Sequence, residues 1–407
     1  MRRLAVEKKQ IFKQLGQIVD VRFDNTEAEL MNRFMSEYYR DVALEDLASR
    51  ELEDLYGAAV SHWNLSQTRL ANDSSVSVYN PDFETHGWQS PYTVIEIVTK
   101  DRSYLVNSLT MKINQLGLTC HLVVHPVINL LRDSKGVLSQ AKGVHDACAE
   151  SFLRFEVTRQ STNGNKLDSL KEEAITVLKN CTAVTDDWKT SLGKLDEAIS
   201  TLKQFCPEKE DQEVSETLEF LSWLKDDNFI FLGSREYEFI QGDKDGGFKI
   251  QPNSGSGILR DELAPIPEMD VIPVSSENCT FMCEPCPLIV TKATTKSPVH
   301  RAAYMDYVGV KKFNADGEVI GEYRFLGLYT SSAYHVKISD IPLIRKKINK
   351  VLARSAFKAN SHSGNSLMNI LEGLPRDELF HSGDEQLLNL ALGVLQLRER
   401  QRIRLFS

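Results

Sequence analysis

Cysteine is sparse in this 407-residue chain and lacks a pairing pattern: seven residues, an odd number, with Cys120, Cys148, Cys181 and Cys206 scattered and only Cys279, Cys283 and Cys286 close together. Such spacing builds no disulfide framework and points to a reducing, cytoplasmic setting. Long hydrophobic runs are also missing. The most apolar stretch, around Leu116 to Leu131, is interrupted by His121, His125, Pro126 and Asn129, well short of the roughly 20 apolar residues that cross a bilayer. The first twenty residues carry charges and glutamines throughout, without the apolar core of a signal peptide. Positive charge is in deficit, 48 Lys and Arg against 57 Asp and Glu for a formal net charge of -9, which disfavours a phosphate backbone as partner. No membrane and no nucleic acid are expected among the partners. What remains is ordinary globular usage, 42% hydrophobic and 26% charged, at a length that suits two or three domains.

The pattern is helical at first. Thr26 with Glu29 reads as a capping box, and Leu30, Met31, Phe34, Met35 and Tyr38 share a face. Leu52, Leu55, Tyr56, Ala59, Val60 and Trp63 define a second helix, and the chain from Ala71 to Ser90 has the Asn, Asp, Ser, Gly and Pro content of a linker. TVIEIVTK (93–100) then reads as a buried strand and Leu105, Leu109, Ile113 and Leu116 as a helix face ending at Gly117. Leu118 to Val127 and Phe152 to Thr158 read as strands, and Leu167 to Leu178 as a helix. That order is a split βαβ unit of ferredoxin-like type. A polar helical stretch from Thr185 to Phe205 and an amphipathic helix, Val214 to Leu224, follow. Five strands come next, at 228–240, 248–251, 288–291, 301–313 and 318–329, the last two joined by Asn314-Ala315-Asp316-Gly317. Three helices close the pattern, and Ile403, Leu405 and Phe406 alternate with Arg402 and Arg404 as a strand does, so further polypeptide is expected beyond Ser407. The fold class is α+β.

Chemistry-bearing motifs are few. Ser254-Gly255-Ser256-Gly257-Ile258 lacks the third glycine of a dinucleotide fingerprint, and no nucleophile elbow, zincin or kinase signature occurs. Cys279, Cys283 and Cys286 with His300 are the nearest approach to a tetrahedral zinc set, in a spacing that three reduced loop thiols explain as well. His121 and His125, on a strand, lie about 13 Å apart, too far to share an ion. The basic run Arg345, Lys346, Lys347, Lys350 and Arg354 reads as the solvated face of a helix whose other face is Ile344, Ile348, Val351 and Leu352. The candidate site is the turn Asp101-Arg102-Ser103-Tyr104-Leu105, where a strand runs into a helix. The free N–H groups and positive dipole end of such a turn suit a small carboxylate.

The segment EIVTKDRSYLVNSLTMKINQLGLTCHLVVHPV (96–127) resembles the amino-terminal ACT-like domain of the large bacterial NAD-specific glutamate dehydrogenases. LSWLKDDNFIFLGSREYE, TKATTKSPVHRAAYMDYVGVKKF, YRFLGLYTSSAY, LMNILEGLPRDELF and LGVLQLRERQRIRLF continue the resemblance in the same order. It implies a helical segment at 1–75, an ACT-like domain at 90–182, a helical connector at 183–226, a PAS-like antiparallel sheet at 227–335 and a helical segment at 336–407 that leads into a catalytic remainder. The implied parent is an oligomeric cytoplasmic enzyme that oxidatively deaminates L-glutamate with NAD. Neither catalytic residues nor a bound cofactor is expected in this chain, whose partners are then its catalytic domain and other subunits. Onto the ACT turn the resemblance carries an amino-acid effector role for Asp101, Arg102 and Tyr104. A departure accompanies it: effector-binding ACT turns have glycine near the position of Tyr104, where backbone must approach a ligand, and a tyrosine fills that space. The ring favours a packing role over an effector site.

Overall fold

The computed structural model describes residues 2–138, 147–206, 212–240, 247–266, 272–273, 286–358 and 361–400. The chain divides into two units, Met1–Thr182 with Pro298–Arg301, and Ala183–Ser297 with Ala302–Ser407. The predicted strand at 402–406 lies outside the described residues.

The first unit opens with helices α1 (Arg2–Arg22), α2 (Asn25–Tyr38), α3 (Leu44–Ala48) and α4 (Leu52–Leu65). Asp24, not the expected Thr26–Glu29 box, caps α2: its carboxylate accepts the N–H groups of Thr26 and Glu27. An acid there also meets the positive end of the helix dipole. The supposed linker contains a strand, β1 (Ser75–Tyr79), and a one-turn helix, α5 (Phe83–His86). β1 pairs antiparallel with β2 (Thr93–Lys100), and β5 (Cys148–Val157) lies on the other side of β2. Between β2 and β5 the chain forms α6 (Leu105–Gln115), β3 (Cys120–Val124) and β4 (Val127–Leu130). The single strand expected over 118–127 is broken at His125-Pro126, since proline donates nothing to a ladder. β3 and β4 therefore pair with opposite ends of β5, as in Val124↔Arg154 and Val127↔Ser151. Gly117 ends α6 in the left-handed conformation, φ 73°, as its position in the sequence suggests.

Strand alternation sorts this sheet into two faces. Val98, Val124 and Phe152 join Leu15 and Val19 of α1, Met31 and Phe34 of α2, Leu47 of α3 and Leu55 and Ala59 of α4 in one apolar cluster. Ile95, Ile97, Leu153 and Phe155 point the opposite way and are also buried. The sheet is thus covered on both faces, and the N-terminal helices form one of the covers.

A single 40-residue helix, α7 (Lys166–Phe205), replaces the two expected helices and carries the chain from one unit to the next. In the second unit α8 (Gln212–Trp223) precedes β6 (Phe229–Ile240), β7 (Gly247–Ile250), β8 (Ser256–Gly257), β9 (Ile272–Pro273), β10 (Leu288–Lys296), β11 (Tyr304–Phe313) and β12 (Val319–Tyr329). The five long strands expected are present, and two strands of two residues join them. The order is β10-β11-β12-β6-β7-β9, with β8 on β6, and every pair among the described residues is antiparallel. The β11–β12 turn uses Gly317 at φ 80°, and the Asn314 side chain accepts the N–H groups of Asp316 and Glu318.

Helices α9 (Ser331–His335), α10 (Ile344–Arg354), α11 (His362–Glu372), α12 (Arg376–His381) and α13 (Asp384–Arg400) complete this unit. Val308, Val310, Tyr323 and Phe325 on the sheet share a core with Phe220, Ile344, Ile348, Leu367 and Leu387. Four of the five basic residues of α10 are engaged inside the unit. Arg345 pairs with Glu216 and Glu219, Lys346 with Glu213 and Lys350 with Asp384, while Lys347 Nζ donates to the carbonyls of Leu379, Phe380 and Ser382.

Candidate functional site

The predicted turn lies where β2 ends and α6 begins. Asp101 N–H donates to the Ala149 carbonyl, and Asp101 Oδ1 accepts the Ser151 hydroxyl at 2.6 Å. His125 Nε2 lies 3.0 Å from the same Ser151 oxygen, so an Nε2–H tautomer completes a relay from His125 through Ser151 to Asp101. Burial holds the His125 pKa below its ordinary value, with Asp101 pulling the other way. The charge of Arg102 acts on the thiol of Cys181, which burial pushes up to about 11. Tyr104 is the N-cap of α6 at φ 73°, with no side-chain cap bond. It has taken the left-handed backbone that glycine adopts freely. Its ring packs 5.3 Å from that of His300, whose backbone N–H donates to Ser108 Oγ on α6. Two of the three expected residues, Asp101 and Tyr104, are therefore engaged in the turn's own packing.

The suggested zinc set is not assembled among the described residues. Cys279 and Cys283 lie outside them, Cys286 is exposed, and His300 is held by Tyr104 and Ser108. His121 stacks on Tyr92. One other group has ligand-like spacing, Asp306, Asp377 and His381. Its balancing charge is Lys292 Nζ, 2.7 Å from Asp306 and 3.3 Å from Asp377, so it has the composition of an ion-pair cluster.

Charged residues inside the first sheet form a second constellation that sequence reasoning missed. Glu96 on β2 pairs with Arg154 on β5, and both are almost fully buried. Arg154 Nη2 donates to Glu156 Oε1 at 2.7 Å, and Arg50, between α3 and α4, donates to Glu156 Oε2 at 2.7 Å. Ser61 Oγ donates to Glu96 at 3.1 Å and bonds Tyr79 at 2.7 Å. Burial raises the Glu96 pKa to about 7, against the pull of Arg154. Beside it His62 is kept neutral, its pKa lowered to about 3 by burial. Its Nε2 meets the Ile97 carbonyl and its Nδ1 the Tyr38 hydroxyl.

Next to this network is a cavity of about 410 Å³ lined by residues of α3, α4, the 88–92 segment, β3 and β5. Arg50, Arg154, Glu156 and Trp88 face it, with Asp46, Glu51 and Asp54 among the other lining residues. The Arg154 guanidinium stacks 4.7 Å from the Trp88 ring. A visible signal existed in the sequence: Glu96, Arg154 and Glu156 are charges each flanked on both sides by apolar residues of a strand, as in Ile95-Glu96-Ile97 and Leu153-Arg154-Phe155-Glu156-Val157.

Comparison with known proteins adds the following. Residues 34–174 match the family model for the glutamate dehydrogenase ACT1 domain, and residues 341–400 that for glutamate dehydrogenase helical motif 1. The chain is 34% identical over 401 residues to an NAD-specific glutamate dehydrogenase of Halomonas elongata, covering 97% of this chain and 25% of that protein. It is 34% identical over 378 residues to one of Pseudomonas aeruginosa, covering 92% and 23%. A Mycobacterium tuberculosis relative of the same name is 24% identical over 356 residues, covering 85% and 20%. The chain thus spans about a quarter of the length of the curated relatives it matches.

Proposed function

Because this chain belongs with the NAD-specific glutamate dehydrogenases, carrying their ACT1 domain and helical motif 1, we propose that it is the amino-terminal regulatory and assembly region of such an enzyme. The parent reaction on this reading converts L-glutamate, NAD and water to 2-oxoglutarate, ammonia and NADH in the cytoplasm, and NAD binds elsewhere in the parent. The observation that carries the proposal is collinear identity over 97% of this chain against a quarter of the relative. The first unit acts as the ACT-type domain and the second unit's sheet as a PAS-type module. Self-pairing between subunits is their main work.

Engagement of Asp101 and Tyr104 within the turn supports assembly over effector binding at that position. The test is the mass of the purified chain in solution, by light scattering across a range of concentrations. A multiple of the single-chain mass is expected. A strictly monomeric chain at every concentration would remove the assembly role.

A further inference from the structure

Helix α10 turns three lysines toward one cavity of the second unit. Lys346, Lys347 and Lys350 line a space of about 230 Å³ whose other walls include Leu288 and Val290 of β10 and Phe380 of α12. Positions one and four residues apart on a helix are neighbours on its surface. The Lys347 ammonium is anchored: it donates to the carbonyls of Leu379, Phe380 and Ser382, which uses its three N–H groups. Burial lowers its pKa, and the carboxylate that opposes this, Asp384, is paired with Lys350. Lys347 therefore adds positive charge to the cavity without a carboxylate of its own.

The other two lysines have donors to spare. Lys346 Nζ is 3.8 Å from Glu213 and Lys350 Nζ 3.5 Å from Asp384, both longer than the charge-assisted hydrogen bond of about 2.7–2.9 Å. On the same helix Arg345 reaches Glu216 at 2.9 Å, so the long pairs are particular to the cavity. The Lys346 side chain is nonetheless only 19% exposed, a cation largely withdrawn from water. Three ammoniums thus face two carboxylates across this space, and one of the two, Glu213, is 54% exposed and screened by solvent. The remaining wall is apolar and half-buried, at Leu288, Val290 and Leu343.

We propose that this cavity binds a small phosphate monoester, its dianionic head between the ammoniums of Lys346 and Lys350 and its organic body against Leu288 and Val290. Lysine meets phosphate as a point charge with rotatable donors, and a doubly charged head can draw both ammoniums from their long pairs where a monocarboxylate brings half the charge. The size of the cavity suits a small molecule and not a polynucleotide, in keeping with a chain of net charge -9. Part of the basic run that reads in the sequence as a solvated helix face is thus enclosed by β10 and α12. The inference concerns binding by the second unit alone and stands whatever reaction the parent enzyme performs.

The test is calorimetric titration of the whole chain with phenyl phosphate, inorganic phosphate and benzoate, each up to about 10 mM, ample for a micromolar to millimolar site. Phenyl phosphate should bind tightest, inorganic phosphate several-fold more weakly for want of the apolar body, and benzoate weakest. Lys346→Gln and Lys350→Gln, each keeping the length of the stem in part and removing the charge, should each weaken phenyl phosphate about ten-fold. Thermal melting without ligand confirms that both variants are folded. Lys189→Gln, at an exposed lysine outside the cavity, should leave the affinity unchanged. Silence across the panel overturns the proposal. So does full affinity in both cavity variants, an equal loss in Lys189→Gln, or inorganic phosphate or benzoate binding as tightly as phenyl phosphate.

Discussion

Glu96 sits in the middle of a strand whose neighbours Val94, Ile95, Ile97 and Val98 are fully buried. Its raised pKa makes folding depend on pH in a definite direction. A carboxylic acid with a folded value near 7 and an unfolded value near the ordinary one holds more protons when folded. Stability is therefore greatest below the unfolded value and falls as pH rises through the folded one. The full effect is of the order of 3 kcal/mol. His62, depressed to about 3, acts in the opposite sense between its folded and unfolded values, but it is common to wild type and variant. Glu96→Gln should therefore gain on wild type in urea-unfolding free energy between pH 5 and pH 8. Parallel profiles would show that Glu96 is ionised in the folded chain throughout. TVIEIVTK was readable as a buried strand, but the pairing of its charge was not. Arg154 is 58 positions further on, and only the register places it opposite Glu96.

At the scale of elements, hydrophobic period located α2, α4, α6, β2 and the β11–β12 hairpin because each keeps one period between clear breakers. β1 escaped notice because SVSVY is flanked by the Asn, Asp, Ser and Pro that otherwise mark a linker. Its pairing with β2 supplies what local sequence did not. α7 was read as two helices because Cys181-Thr182-Ala183-Val184-Thr185 has weak propensity, and buried contacts at Cys181, Ala183 and Val184 override it. The start of α6 shows a conflict between backbone and side chain. Tyr104 was identifiable as a tyrosine in a place suited to glycine, but its φ of 73° was not. Tyr104→Ala loses the ring against His300 and keeps the left-handed strain, whereas Tyr104→Gly loses the ring and relieves it. Both should be less stable than wild type, and the glycine variant should exceed the alanine variant by about 1 kcal/mol. Chemical denaturation checks the order, and alanine above glycine would deny the strain.

At the scale of the molecule, two α+β units carry motifs of an oxidoreductase family, while the sequence offers neither a dinucleotide fingerprint nor a catalytic signature. The candidate turn was legible as a position, since strand, turn and helix follow one another locally. The cavity at Arg154 was not, since its walls come from four separated stretches of chain that only the tertiary fold brings together. Burial of the first sheet on both faces has a consequence for assembly. Its edges are β1 on one side and β3 with β4 on the other, and edge strands offer unpaired backbone groups to a second copy. On the proposed reading, regulation and assembly belong to this chain, and chemistry to the rest of the parent. The direct measurement is NADH formation by the purified, folded chain with L-glutamate and NAD, over a wide range of chain concentration. The account predicts none above the enzyme-free blank, and turnover that rises in proportion to the chain would contradict it.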